Sequence, residues 1–353
     1  MTDLARFAQD TADKLTAQKN VGVVVAALSG EDVEYAGAGR TGGADGGVPG
    51  AGTVFEIGSV SKVFTSLLLA RLAVAETAHL DEPLADLLPP WSQVPSRDGR
   101  HITLEHLATH TSGLPRLPKG LMTRALLRPN MPDPYVGCTA DVLLRGLAQT
   151  KLGAIPGKRF RYSNLGGGLL GLALAERSGV GYEALVAREI GAPLGLADTV
   201  VDLGAEREAR MAQGHNKRGK AVPPWNMADL AGAGGLRSTA ADLVTFVRAQ
   251  LHPDSSPLGD AVRLSHAVDY ASNPFMRTHL GWMSVGPRGK NYRQFFHNGR
   301  TGGFASFVGF TPAKDVAVVA LSNTARSLDR TVLTLLGQLE DAREARSTHH
   351  PIG

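Results

Sequence analysis

The sequence predicts a mixed α/β (α+β) fold, with an antiparallel sheet assembled from both chain ends, flanked by helices, and a mainly helical subdomain inserted between them. Two observations predict it. Apolar, strand-like runs occur early, at 21–28 and 33–36, and again late, at 280–285, 292–296, 304–310 and 316–321. Between 80 and 229 strand signals are scarce, and helical stretches alternate with Pro- and Gly-rich loops. The expected division is therefore 1–79 with 230–346 as the sheet subdomain, 80–229 as the helical subdomain and 347–353 as a flexible tail.

Each element follows from local pattern. Positions 4–18 form a first helix, and the two early runs an antiparallel pair. The stretch 37–52 is rich in Gly without periodicity and is a loop. A strand at 54–57 leads into a helix over about 59–75 that is apolar on nearly every face, so burial is expected. Helices at 104–109, 139–149, 165–177 and 182–190 fill the middle. Another at 240–250 precedes the late strands, and a last helix spans 329–343.

With 353 residues, 43% hydrophobic and 20% charged, the chain can bury a core without disulfides or metals. Lys and Arg number 37 against 33 Asp and Glu, giving a net charge of +4, but they are interspersed. No basic block appears, which argues against nucleic-acid binding. Cys138 stands alone, so an intrachain disulfide and a cysteine-based metal site are excluded, and it reads as structural. No metal or cofactor is implied. Positions 1–20 lack the apolar core of a signal peptide and no run reaches transmembrane length, so a cytoplasmic protein without a membrane partner is expected.

Three segments carry chemistry. In Ser59-Val60-Ser61-Lys62 the lysine sits at i+3 and shares a helical face with the serine, a spacing that a capping serine with a surface lysine also produces. A serine hydroxyl needs a neighbouring base, and a buried lysine with a lowered pKa can serve. Ser59 also meets the positive end of the helix dipole. In Tyr162-Ser163-Asn164 the tyrosine can relay protons and the asparagine can orient a substrate carbonyl, or the pair can be a half-buried Tyr and a helix cap. His297-Asn298-Gly299-Arg300 lies between two strands, where glycine lets a substrate approach the strand edge, or simply makes a hairpin. A backbone N–H at that edge could join the Ser59 N–H as an oxyanion hole.

Other patterns fail on context. Gly37-Ala38-Gly39-Arg40-Thr41-Gly42 matches a dinucleotide-binding string, but no helix is expected after it. His106 and His110 have metalloprotease spacing, but Leu107 stands where a glutamate is needed, so both read as a structural turn and helix surface. Trp225, Trp282, Arg300, Asn323 and Arg326 are loose candidates for shaping specificity.

Taken in order, S-x-x-K, Y-x-N and H-x-G resemble the class C β-lactamase-like serine hydrolases, a group that spans D-alanyl-D-alanine carboxypeptidases, D-amino-acid amidases, family VIII-type esterases and transacylases. The stretches 102–115, 192–196 and 231–236 resemble structural signatures of the same group, and the similarity runs over about 21–323. The resemblance implies a β-lactamase/DD-peptidase-like fold and a covalent acyl-Ser59 intermediate. It implies Lys62 and Tyr162 as proton managers, Asn164, His297, Gly299 and Arg300 as substrate-binding residues, and the Ser59 and Arg300 N–H groups as the oxyanion hole. Where class C β-lactamases carry a lysine this chain has His297, which moves the expectation toward carboxypeptidases and peptidases.

The expected reaction is hydrolysis of a small ester, amide or peptide-like substrate. Transfer of the acyl group to an amine or alcohol ranks second and β-lactam hydrolysis third. A reading of another class is a non-catalytic descendant that binds acyl groups or peptides, against which the intact Ser59, Lys62, Tyr162 and Asn164 speak.

Overall fold

The computed structural model describes residues 2–43, 46–118, 121 and 133–349. Helix α1 (Asp3–Ala17) places Leu4, Ala8, Ala12 and Leu15 on one buried stripe, and the Thr2 hydroxyl caps it by accepting from Ala5 N. Strands β1 (Gly22–Ser29) and β2 (Asp32–Gly39) follow as a tight antiparallel pair. The Gly37–Gly39 end of the glycine string is thus strand, and no helix opens from it.

Strand β3 (Val54–Glu56) pairs with β4 (Arg237–Thr239) in a separate two-stranded ladder. Helix α2 (Ser61–Val74) comes next, then α3 (Leu104–Ala108), α4 (Ala140–Ala148), α5 (Asn164–Ser178) and α6 (Tyr182–Val186). After α7 (Ala240–Leu251) and α8 (Gly259–Ala267) the late strands begin. They are β5 (Tyr270–Ala271), β6 (Met276–Thr278), β7 (Met283–Val285), β8 (Gln294–Arg300), β9 (Ala305–Thr311) and β10 (Val316–Ser322), and α9 (Asp329–His349) closes the described chain.

These form one eight-stranded antiparallel sheet in the order β2-β1-β10-β9-β8-β7-β6-β5, so the N-terminal pair zips onto the C-terminal strands through β1 and β10. Side-chain alternation explains the layers. Val23, Val25 and Ala27 of β1, with Val316, Val318 and Ala320 of β10, face α1 and α9. Val24, Ala26 and Leu28, with Ala317, Val319 and Leu321, face the core that contains α2 and α7. Covered on both faces, β1 and β10 read as unbroken apolar runs. α2 is buried from Ser61 through Ala70, which is why it shows no polar face.

The late strand expected at 292–296 runs instead from Gln294 to Arg300. His297, Asn298 and Gly299 are therefore strand residues, and the turn lies beyond them, where Thr301 N donates to Phe304 O. Strand β7 pairs only with 294–296, whereas β9 pairs with 295–300. From His297 onward one edge of β8 thus has no strand beside it among the described residues, and this edge faces the chain at Gly58.

Candidate active site

The site is built where β3 runs into α2. Ile57 N donates to Leu236 O, extending the β3–β4 ladder by a residue. Gly58 then takes φ +50, in the left-handed region that favours glycine, and turns the chain through a 3-10 segment, Gly58–Val60, into α2. A side chain at Gly58 would also stand 2.8 Å from Arg300 N. The same crowding recurs at Gly299, where a Cβ would clash with Ile57 O and the Ser306 hydroxyl. The two glycines let the serine turn lie against the open edge of β8.

Helical spacing does the rest. Lys62 Nζ lies 3.1 Å from Ser59 Oγ and also donates to Ala233 O. The lysine is 2% exposed, and burial holds its amine below the ordinary lysine range, with nearby Tyr162 pulling the other way and Arg116 adding to the depression. Nζ sits 5.0 Å from the centre of the Tyr162 ring. Ser59, Lys62 and Tyr162 are therefore one cluster, with a hydroxyl, an amine biased toward its neutral form and a phenol in mutual reach.

The Tyr162-Ser163-Asn164 segment is moulded by the stretch 110–116. Arg161 N donates to His110 O, Ser163 N to His110 Nδ1 at 3.3 Å, and the Ser163 hydroxyl to Pro115 O at 2.6 Å. Asn164 N and Leu165 N both donate to Arg116 O, and Ser163 caps α5 through Gly166 N. His110 itself is buried and packs its ring 4.4 Å from that of Tyr162. It is not helix surface, as its spacing from His106 suggests, because the chain leaves α3 and turns inward at His110 with φ +58. Burial, then Lys62 and His297, push its imidazole well below the ordinary range.

Asn164 donates through Nδ2 to the Tyr135 hydroxyl at 3.2 Å, and its Oδ1 is buried without a hydrogen-bond partner among the described residues. His297 is 1% exposed and its Nδ1 lies 2.8 Å from Asn298 O. Burial first and Lys62 second push its pKa down to about 3, against the Asn298 carbonyl, so it is neutral at ordinary pH. It backs the lysine and is not among the side chains that line the cleft.

That cleft holds about 370 Å³ and brings Ser59, Tyr162, Asn298, Gly299 and Arg300 together with Arg116 and Asp329. Because Thr301 N points to β9, strand alternation sends Arg300 N to the opposite side, toward Gly58 and Ser59. Arg300 N therefore stands on the side of β8 that faces Gly58.

Glu56 is a further member that spacing does not reveal. It is 3% exposed, three residues before the serine, and accepts from Trp225 N at 2.6 Å. Burial raises its pKa, opposed by the Thr301 hydroxyl, Arg237 and the Trp225 N–H. Thr301 Oγ1 in turn accepts from Phe304 N at 3.2 Å, so one carboxylate ties β3 to the turn that follows Arg300. Of the loose specificity candidates only Arg300 lines the cleft. Trp282 is core, stacked on Phe246, Asn323 is buried against Arg40 O, and Arg326 donates to Lys217 O. Trp225 packs 5.0 Å from Tyr135, beside Gly302. Cys138 is buried in the core.

A sequence model of the family described as Beta-lactamase matches residues 7–340. The chain belongs to the Beta-lactamase family. It is a serine hydrolase of that family, and its large antiparallel sheet with flanking helices is the β-lactamase/DD-peptidase fold. Among relatives, it is similar to the D-alanyl-D-alanine-carboxypeptidase/endopeptidase AmpH of Escherichia coli K12, 31% identical over 281 residues, 76% of this chain and 70% of that protein. It is also similar to a Beta-lactamase of Pseudomonas fluorescens, 27% identical over 354 residues, 91% of this chain and 94% of that one. A Beta-lactamase of Escherichia coli K12 is 28% identical over 303 residues, 77% and 75% of the two chains. No described helix of this family member is long and apolar enough to cross a membrane.

Proposed function

We propose that the protein hydrolyses a small ester, amide or peptide-like substrate through a covalent acyl-Ser59 intermediate. The observation that carries this is the buried Lys62 amine 3.1 Å from Ser59 Oγ. In the proposed reaction the Ser59 hydroxyl adds to the substrate carbonyl while its proton passes to the Lys62–Tyr162 pair. The carbonyl oxygen takes up negative charge between the Ser59 and Arg300 N–H groups. Collapse expels the leaving group, which takes the proton, and water then attacks the acyl carbon by the same route to regenerate the serine. Lys62 and Tyr162 act as coupled groups. The unpartnered Asn164 Oδ1 is an acceptor for the N–H of an amide substrate. The names of the relatives, a carboxypeptidase/endopeptidase and β-lactamases, favour an amide-type bond. The division into a sheet subdomain and an inserted helical one belongs to the same proposal, with the serine turn at their junction.

The test is intact-protein mass after treatment with a fluorophosphonate or a penicillin. Wild type should gain one adduct and Ser59→Ala none. An adduct that persists in Ser59→Ala removes the assignment of the nucleophile. A panel of p-nitrophenyl esters, D-amino-acid amides and a chromogenic cephalosporin, with and without added amine, then ranks hydrolysis against acyl transfer and β-lactam turnover.

A further inference from the structure

The start of α2 is tied by three side chains to the end of the 3-10 turn at 228–233 and the residues after it. Ser61 Oγ accepts from Leu236 N at 3.0 Å, Lys62 Nζ donates to Ala233 O, and Thr65 Oγ1 donates to Gly232 O at 2.8 Å. Gly232 O and Ala233 O are successive carbonyls, so a bond that holds the first also helps to place the second. Thr65 is fully buried, and its hydroxyl meets Ser61 O at 3.0 Å and the Tyr182 hydroxyl at 2.8 Å. A threonine has one hydrogen to give, and carbonyls only accept. Unless that hydrogen goes to Ser61 O and Gly232 O, the Thr65 oxygen faces two carbonyl oxygens with no hydrogen between them. The Tyr182 phenol is therefore the donor to Thr65 Oγ1. Burial raises the pKa of that phenol, against the pull of the Thr65 hydroxyl, and so keeps its hydrogen in place.

Glycines bring the other wall up to the same turn. A Cβ on Gly171 of α5 would stand 3.0 Å from Gly232 Cα and 3.2 Å from the Tyr182 ring, and one on Gly167 would stand 3.2 Å from Lys62 Cε. The two carbonyls are thus wedged between α2 and α5, with Tyr182 at the start of α6 beside them. Gly171, Tyr182, Asp229 and Gly232 also line a separate cavity of about 480 Å³. On that face hydrogen bonds, rather than packed side chains, hold the turn.

We infer that Tyr182 and Thr65 are positioning residues for the Lys62 amine, their hydroxyls holding the Gly232–Ala233 carbonyls where Nζ stands 3.1 Å from Ser59 Oγ. Neither lines the cleft, so both act through the turn and neither touches substrate. This rests on the acyl-Ser59 reading and adds to it two residues from outside the cleft. Their effect falls on the chemical step, since the surfaces that bind substrate stay as they are.

The experiment follows phosphonylation by a fluorophosphonate, which needs an activated serine whatever the natural substrate is. The rate constant at saturation, kinact, and the half-saturating concentration, KI, are measured separately in wild type, Thr65→Val, Thr65→Ser, Tyr182→Phe and the Thr65→Val/Tyr182→Phe double variant. Thr65→Val should lower kinact about tenfold with KI within about twofold of wild type, because the amine drifts while the cleft lining does not. Thr65→Ser, which returns the hydroxyl, should recover to within about threefold of wild type, and Tyr182→Phe should lower kinact about threefold. The two links act in series, so the double variant should be no slower than Thr65→Val. A kinact unchanged in both Thr65→Val and Tyr182→Phe overturns the inference, as does a loss confined to KI, no recovery in Thr65→Ser, or losses that multiply in the double variant. If Thr65→Val does not fold, Tyr182→Phe and Thr65→Ser decide by the same split of kinact from KI. Wild type that labels while the variants keep its kinact sinks this inference alone, and wild type that does not label sinks the acyl-Ser59 reading with it.

Discussion

The buried floor beneath the cleft lining and the rim of the cleft both draw on the segments 110–116 and 297–300, yet they obey opposite rules. On the floor Lys62, His110 and His297 are each 5% exposed or less, and burial biases all three toward their neutral forms. On the rim Arg116 and Arg300 are exposed and line the cleft. Strand alternation in β8 makes the switch, since His297 and Gly299 point inward while Asn298 and Arg300 do not. A dry floor favours the neutral form of the amine, the form that has a lone pair to take a proton. The wet rim is not insulated from it, since Arg116 adds to the depression of that amine.

The comparison breaks most visibly at Lys62. Lys62→Met should lower kcat/KM by about 10⁴-fold or more, because the serine loses its base. The same change should leave the melting temperature equal or raise it, since a buried amine is exchanged for an apolar chain. A variant that keeps more than roughly 1% of the activity removes Lys62 from the proton path.

Acid tests the floor as a whole. Unfolded histidine takes up a proton below about pH 6.5. His297 of the floor, and His266 of α8, stacked on Phe295 outside the floor, both stay neutral down to about 3 in the folded chain, chiefly through burial. Between those limits the unfolded state binds more protons, so stability is full above the upper limit and is lost as pH falls. Each histidine should cost on the order of 3 kcal/mol by about pH 4. Urea titrations between about pH 7 and pH 4 measure this, and His297→Gln should flatten the slope. Stability that stays level over that span contradicts a neutral floor.

The smallest effect is expected at the brace between floor and rim. Glu56→Gln should lower kcat by about tenfold to thirtyfold with KM nearly constant, as the turn after Arg300 loosens and the two N–H donors lose their spacing. Affinity for a boronic acid that mimics the tetrahedral state should fall in step. A change confined to KM or to melting temperature would mean that Glu56 only holds the fold.

What could be read from the sequence depended on the range of the contacts. Ser59 with Lys62 is an i, i+3 pattern, and β1 and β10 are dense apolar runs, so local spacing exposes both. The strands β4, β5 and β6, of two or three residues, are too short to carry a period, and α8 over Gly259–Ala267 lacks a long apolar stripe. Glu56 and Arg116 owe their places to partners far along the chain, at Trp225, Thr301 and Tyr162. Their only local signal is nearness to a motif. His297 is legible as a motif member, but the direction of its side chain depends on the register of β8. The early end of the expected strand puts that register one turn away from where it lies.

The carbonyl of Ala233 has a consequence for timing. A neutral amine has two hydrogens and one lone pair, and one hydrogen is committed to that carbonyl by the Nζ–Ala233 bond. Nζ also donates toward Ser59 Oγ at 3.1 Å, so both hydrogens of the neutral amine have acceptors in the resting site. The backbone of the 228–233 turn thereby acts as a compass for the lysine, fixing where Nζ stands before any substrate arrives.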